Sequence, residues 1–166
     1  IDLEIIQTEG FAATRKVDPN MVIKKKDGKD HEVQDGWIGR VIPFILVQQT
    51  LLKPEYQQLQ ELGKQIVVIG TEIEEQLEAF GEEEKDSDSF NEDKDGFVVA
   101  ELVKEAKQLR ADCKKGETFA DDSYEARIIQ ADELLKTEKE LKKKRIAFAA
   151  ALHLKTKATI ENLSDQ

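Results

Sequence analysis

The sequence predicts a mainly α-helical protein built on a long antiparallel helical hairpin of coiled-coil type. A short helix and an acidic loop lie between the two arms of this hairpin, which stands on a small N-terminal base containing a β-hairpin. Charged residues make up 36% of the 166 residues and aromatic residues only 6%, a balance that favours exposed helix surface over a thick globular interior. Two long segments space their apolar residues with helical period, and an Asp-Gly pair separates two strand-like runs.

The base is predicted over residues 1–52. Its hairpin pairs the run from Met21 to Lys25 with the run from Lys29 to Val33. Between them, Asp27-Gly28 supplies the positive φ angles that a two-residue type I′ turn needs. Two further turns are predicted outside the strands, at Asp18-Pro19-Asn20 and Asp35-Gly36.

A first helix is predicted to begin at Pro43, because proline suits the first helical position, where its missing N–H costs nothing. Phe44, Val47 and Leu51 fall on one face of this helix. The pair Lys53-Pro54 then interrupts it, because the residue before a proline is pushed out of the helical region.

The helical hairpin is predicted over residues 53–166, and its first arm runs from Pro54 to Phe80 with Gly81 as the C-terminal cap. The apolar residues of this arm follow a heptad-like spacing, which is typical of a helix that packs along its length against another helix. These seam residues are Leu59, Leu62, Ile66, Ile69, Ile73, Leu77 and Phe80.

Residues 82–95 hold eight acidic side chains and two lysines, so this segment is predicted to be a mobile loop that buries almost nothing. A shorter helix follows from Phe97 to Lys114. The second arm is predicted from Asp121 to Leu163, where the sequence has no glycine and no proline. Its stripe consists of Ile128, Ala131, Leu134, Leu135, Leu141, Phe148 and Leu152.

The acidic loop comes close to a calcium-binding motif. Asn91, Asp93 and Asp95 fit the first, third and fifth positions of an EF-hand loop. The twelfth position, which should be a bidentate glutamate, is Leu102. The interpretation favoured is therefore a solvated loop whose Asp95 caps the next helix, with a calcium sensor as a lesser alternative.

The sequence contains no signature of an enzyme. The formal net charge of −10 argues against whole-surface affinity for nucleic acid, and His31 and His153 lack partners at metal-ligand spacing. Cys113 is the single cysteine, so no internal disulfide is possible and a cytoplasmic location is expected. No apolar run is long enough for a membrane span, and the start without Met suggests a fragment of a longer protein.

One basic run stands out in this acidic chain. Its cations are predicted either to contact nucleic acid or to form a solvated face. Glu138 with Lys142 and Glu140 with Lys144 are spaced for ion pairs on a helix, which favours the solvated face. The run comprises Lys139, Lys142, Lys143, Lys144 and Arg145.

The stretch DGWIGRVIPFILVQQTLLK, residues 35–53, resembles the modification subunit of type I restriction–modification systems, in the region after its methyltransferase domain. Residues 19–34 also resemble that region, as does the order of a long charged helix, an acidic insert and a second long helix.

The resemblance implies that the parent protein is an S-adenosylmethionine-dependent, adenine-specific DNA methyltransferase acting at adenine N6. The family's Asn-Pro-Pro-Phe type motif and cofactor loop are absent from this sequence. No catalytic or cofactor-binding residue therefore carries over, and the fragment alone is expected to be inactive and to hold no cofactor.

The resemblance further implies an assembly role, through contacts with the specificity subunit and other modification subunits, with DNA reached through the assembled complex. The alternative is a free-standing coiled-coil scaffold or chaperone-like interaction protein. Five residues are predicted at the junction between base and helices, either closing a core or contacting a partner subunit: Trp37, Ile38, Phe44, Leu51 and Leu52.

Overall fold

The computed structural model describes residues 3–116 and 118–164. This part of the chain is mainly helical and contains a β-hairpin, as predicted. It has five α-helices and one two-stranded antiparallel sheet, and the first of these helices was not predicted. In chain order the elements are α1 (Leu3–Glu9), β1 (Val17–Lys26), β2 (Lys29–Gly39), α2 (Phe44–Thr50), α3 (Lys53–Glu78), α4 (Val99–Lys114) and α5 (Tyr124–Glu161), with 3-10 turns at Phe11–Arg15 and Glu84–Asp86.

The chain divides into two compact units. The first takes the residues up to Glu61 and those from Arg145 onward, and the second takes residues 62–144. The helices α3 and α5 therefore contribute residues to both units.

The β-hairpin in the first unit confirms the predicted turn. Asp27 and Gly28 have φ angles of 52° and 75°, as a type I′ turn requires, and Lys26 pairs with Lys29 across it. Both strands are longer than the sequence predicted. The reason is that the residues predicted to form the flanking turns pair with the opposite strand and extend the sheet.

The two flanking turns predicted from sequence are wrong. The segment from Asp18 to Asn20 belongs to β1, and Asp35 with Gly36 belongs to β2. The pairing shifts register between Pro19 and Met21, as at a β-bulge, where the two strands contribute unequal numbers of residues. Turn-forming residues can occupy such an irregularity without reversing the chain.

The helix boundaries lie within a few residues of the predicted ones. Pro43 precedes α2 and Pro54 lies in the first turn of α3. The interruption between the two helices is confirmed, but it falls at Leu51 and Leu52, and Lys53 is already helical. The helix α4 starts at Val99 with Val98 as its N-cap and without a side-chain cap. The predicted capping role of Asp95 is therefore wrong.

The core of the second unit brings together the ends of α3, α4 and α5. Its buried members include Leu102 and Ala106 of α4 with Ile128 and Ala131 of α5. Phe80, just after α3, contacts three other aromatic rings at centroid distances of 5.0 to 6.0 Å. These rings belong to Phe90, Phe97 and Tyr124.

The expectation that the acidic segment buries almost nothing is wrong. Phe90 packs in the aromatic cluster, and Ser89 is also buried, donating a hydrogen bond of 2.5 Å to Glu105 Oε2. The main chain pairs Phe90 with Phe97 in an isolated β-bridge. A single phenylalanine with a partner ring thus anchors a segment whose charge alone predicts no fixed contacts.

The predicted seam of α3 faces inward, because each of its seven positions is buried or half-buried. In the second unit α3 and α5 run antiparallel. Gln76 Nε2 donates to Gln130 Oε1 at 3.2 Å, and Arg127, one turn earlier in α5, donates to the carbonyl of Ala79, which follows α3. Contact partners therefore have lower residue numbers in α5 as the residue number increases along α3, as in an antiparallel pair.

Candidate functional site

The junction predicted from DGWIGRVIPF is held by a histidine from the far end of the chain. The backbone N–H of Trp37 donates to His153 Nε2 at 2.9 Å, and the rings of Phe44 and His153 lie 4.8 Å apart. Since Nε2 accepts this bond, the imidazole proton lies on Nδ1. One side chain of α5 therefore fixes both the end of β2 and the start of α2.

Two glycines make this close approach possible. Gly36 has a φ of 78°, and a Cβ there would lie 2.7 Å from His153 Nε2. At Gly39 a Cβ would lie 1.9 Å from the carbonyl oxygen of Ile42. Neither position can hold a larger residue without movement of its neighbours, so both glycines are required by packing.

A small apolar core lies beneath the junction. Val47 and Leu52, from α2 and the following turn, pack with Leu152 and Ile160 of α5, and all four are buried. Thr156 is also fully buried in this region. Its hydroxyl donates to the carbonyl of Leu152 at 2.7 Å and accepts from the side chain of Gln48 at 3.1 Å, so the polar group is satisfied.

The stretch also secures the N-terminal helix. Arg40 donates through Nε to Asp18 at 3.1 Å and through Nη1 to Glu9 at 2.8 Å. The hydrogen bond and charge of Asp18, followed by the charge of Glu9, raise the pKa of Arg40. Arg40 thus links the bend after β2 to β1 and to the end of α1.

The five predicted junction residues do not share one environment. Leu52 is buried and Phe44 packs at the edge of the same core, while Trp37 is half-buried. Ile38 and Leu51 are exposed, at 48% and 58% relative exposure. The predicted set therefore contains a core-closing part and an apolar part that faces solvent.

An open depression of ≈ 420 Å³ adjoins Trp37. The α5 side of the depression is formed by Ala150, His153 and Leu154. Lys157 Nζ lies 4.6 Å from the centroid of the Trp37 ring, within the range of a cation–π contact. The depression is thus mostly apolar, with Asp35 in its lining and a lysine over the Trp37 ring.

The basic run lies on α5 and is exposed along its whole length. Lys142 forms the predicted ion pair with Glu138 at 2.6 Å. The second predicted pair, Glu140 with Lys144, is not formed among the residues that the structure describes. Exposed pairs of this kind contribute little to stability, so most of the run's positive charge faces solvent.

The calcium-like loop satisfies its own polar groups. Asn91 Oδ1 accepts from the backbone N–H groups of Asp95 and Gly96 at 3.0 and 3.2 Å, and its amide donates to Asp95 Oδ1 at 2.7 Å. Lys94, with a φ of 59°, donates to Asp86 Oδ1 at 2.7 Å. This contact raises the pKa of Lys94, and an ammonium group therefore already pairs with one carboxylate of the loop.

The second unit contains a buried carboxylate that was not predicted from the sequence. Asp132 is fully buried, and its Oδ2 accepts from Arg110 and, at 2.6 Å, from Lys136. Its Oδ1 has no hydrogen-bond partner among the described residues. The one sequence signal for this ion pair is Lys136, which lies four residues after Asp132. Arg110 comes from α4, and no local sequence pattern relates it to Asp132.

Tyr124 is a half-buried phenol in the second unit with a raised pKa. Its burial against the aromatic cluster raises its pKa to about 12, and its hydroxyl lies 2.8 Å from that of Ser87. A neutral phenol that joins the acidic segment to the start of α5 is a structural group rather than an acid or base.

The described residues offer no grouping of three or more His, Cys, Asp or Glu that could hold a metal ion. His31 lies exposed on the hairpin and Cys113 exposed near the end of α4. Within the part of the chain that the structure covers, no helix is long and apolar enough to cross a membrane. Comparison with protein-family models, curated proteins and solved structures finds no match to this chain.

Proposed function

We propose that the chain is a non-catalytic interaction module: the assembly region of a type I DNA adenine-N6 methyltransferase subunit. The observation that carries the interaction role is the apolar surface of the first unit, which remains exposed around a well-packed junction. Exposed apolar surface beside an ordered core is typical of sites that bind another protein. The exposed residues include Ile38, Ile45, Leu46, Leu51, Ile146 and Leu154.

Charge distribution supports the same proposal. The first unit has 11 basic and 12 acidic residues, whereas the second has 14 basic and 23 acidic residues. Nearly all of the net negative charge therefore belongs to the second unit. An almost neutral unit with exposed apolar residues can approach a partner without strong long-range repulsion.

The long coiled-coil hairpin is part of this proposal. The inward seam of α3 and its antiparallel contacts with α5 in the second unit support continuous pairing of the two arms. Such an arrangement presents charged outer faces that select a partner helix. The predicted subunit partners, the specificity subunit and other modification subunits, would engage this helical surface.

The parent activity rests on the resemblance of residues 35–53. Under this proposal S-adenosylmethionine and the methyl-transfer chemistry belong to a methyltransferase domain elsewhere in the parent protein, in the cytoplasm. The chain alone neither binds the cofactor nor methylates DNA, and it reaches DNA through the assembled complex. The exposed basic run Lys139 to Arg145 is the part of the chain suited to a phosphate contact in that complex.

The test mixes the chain with a separately expressed type I specificity subunit and follows co-elution by size-exclusion chromatography. Calorimetry with S-adenosylmethionine serves as the second measurement. We expect a stable complex with the subunit and no heat of cofactor binding. Cofactor binding by the chain would refute the non-catalytic role, and failure to bind specificity subunits would refute the assignment to this family.

A free-standing scaffold is the second candidate. It is favoured by Val67 and Val68 on α3, which are exposed away from the inward seam and have no role in the subunit proposal. Binding of unrelated unfolded proteins at these two valines, with none of the specificity subunit, would replace the first proposal by the second.

A further inference from the structure

The C-terminal half of α5 differs in charge from the rest of the chain. Residues 141–160 contain six basic side chains and no acidic one, in a protein with a formal net charge of −10. Arg145 is exposed and has no ion-pair partner among the described residues. Lys142, Lys155 and Lys157 pair with Glu138, Glu55 and Glu161. Among the described residues, the unpaired positive charge of this segment therefore lies at Lys143, Lys144 and Arg145.

An apolar stripe follows the exposed side of the same segment. Ile146, Ala150 and Leu154 are four residues apart and so lie along one side of the helix. Ile146 and Leu154 are 71% and 59% exposed, and the small side chain of Ala150 leaves room between them. The opposite side of α5 is used already, because Leu152 packs in the core.

Trp37 gives the stripe a second wall. It lines the open depression together with Ala150 and Leu154, and Lys157 lies over its ring. Arg145 precedes the stripe. Lys157 follows it but pairs with Glu161 at 2.7 Å, and Asp35 also lines the depression, so the free positive charge stands at the Arg145 end. We call the surface formed by Trp37, Ile146, Ala150 and Leu154 the α5 groove.

We propose that the α5 groove binds an amphipathic helix of a partner protein whose apolar stripe is flanked by acidic residues. The apolar residues at helical spacing match the i, i+4 anchors of a helix lying in a groove. Lys143, Lys144 and Arg145, at the N-terminal end of the stripe, have no ion-pair partner among the described residues and favour carboxylates on the partner. The inference deepens the proposed interaction function by naming the partner's chemistry and the surface that binds it.

A helix is favoured over the two other anionic partners that such a surface could attract. DNA would use the cations but would leave Ile146 and Leu154 exposed. An anionic membrane would insert bulky residues, whereas the centre of this stripe is an alanine beside a tryptophan held by its own backbone hydrogen bond.

The test uses a labelled three-heptad peptide with leucine at a and d and glutamate at e and g. A second peptide carries lysine in place of glutamate. We expect the acidic peptide to bind the full chain, more weakly as salt is raised, and the basic peptide not to bind. Anionic vesicles and duplex DNA are tested in parallel.

The variant Ile146→Ser with Leu154→Ser should weaken peptide binding at least about tenfold. Ala150→Lys should do the same by filling the groove while adding positive charge. The matched control is Val67→Ser with Val68→Ser, which removes two residues of similar exposure, 69% and 55%, from α3 and should change binding less than about twofold. Circular dichroism and tryptophan fluorescence verify that each variant folds.

The inference is overturned if the acidic peptide fails to bind, if the basic peptide binds equally well, or if groove variants bind like the wild type. Binding to vesicles or DNA without peptide binding also overturns it. Groove-dependent peptide binding without specificity-subunit binding would uphold the groove and refute the family assignment. A specificity-subunit complex that the groove variants do not weaken would support the family assignment and refute the groove.

Discussion

Replacing Gly36 with alanine tests how the junction is assembled. Gly36 has a φ of 78°, and its new Cβ would lie 2.7 Å from His153 Nε2. Left-handed backbone costs a non-glycine residue about 1–2 kcal/mol. Displacing the imidazole also leaves the Trp37 N–H without its acceptor, which costs about 1–3 kcal/mol for a buried donor. The expected loss of unfolding free energy is therefore about 2–5 kcal/mol.

The matched control is Gly28→Ala. Gly28 has a φ of 75° but no neighbouring atom within 4 Å of the added Cβ, so only the backbone cost of about 1–2 kcal/mol applies. Urea unfolding followed by fluorescence is the assay, because Trp37 is the single tryptophan of the chain and reports on the junction directly.

A double-mutant cycle separates the clash from the strain. In the His153→Ala background, Gly36→Ala should cost only about as much as Gly28→Ala, because the clashing ring is gone. Equal losses for Gly36→Ala and Gly28→Ala in the wild-type background, or strict additivity of Gly36→Ala with His153→Ala, would refute the packing argument.

Three further predictions concern the two cores and one ion pair. Phe90→Ala should lower the unfolding free energy by about 3 kcal/mol in urea titrations, whereas a segment without fixed contacts would lose well under 1 kcal/mol. Asp132→Asn should cost about 2 kcal/mol, less than a fully buried pair because Arg110 is partly exposed; an unchanged midpoint would contradict this. The hydrogen bond from Lys155 lowers the pKa of Glu55 below 4.5, so its stabilisation is present above pH 4.5 and disappears as pH falls through the folded-state pKa. Glu55→Gln should therefore lower the urea midpoint more at pH 7 than at pH 3, and an equal difference at both pH values would contradict the assignment.

The helices α2 to α5 and the hairpin could be predicted because their signals are local. Asp27-Gly28 sets two positive φ angles by itself, and the seam of α3 follows helical period over its whole length. Pro43 and Pro54 mark boundaries through the geometry of their own rings. None of these inferences requires knowledge of a distant partner.

The site could be predicted only in part, because its main contacts join distant residues. Trp37 and His153 are 116 positions apart, and a lone histidine on a helix carries no local sign of its acceptor role. Phe90 lies in a segment dominated by acidic residues. The prediction of a mobile loop follows from that charge and gives no weight to the single aromatic residue. Aspartate beside proline or glycine favours a turn, so the local sequence predicts turns at Asp18 and Asp35, whereas cross-strand pairing places both residues in strands.

Hydrogen–deuterium exchange on the complex with the partner tests the central claim most directly. An interaction module that uses the first unit should gain protection in residues 36–38 of β2 and 146–157 of α5 when the specificity subunit or the acidic peptide binds. The α3 segment around Val67 and Val68 should exchange as in the free chain. Protection confined to the second unit, with no change along α5 from Ile146 to Lys157, would contradict the account.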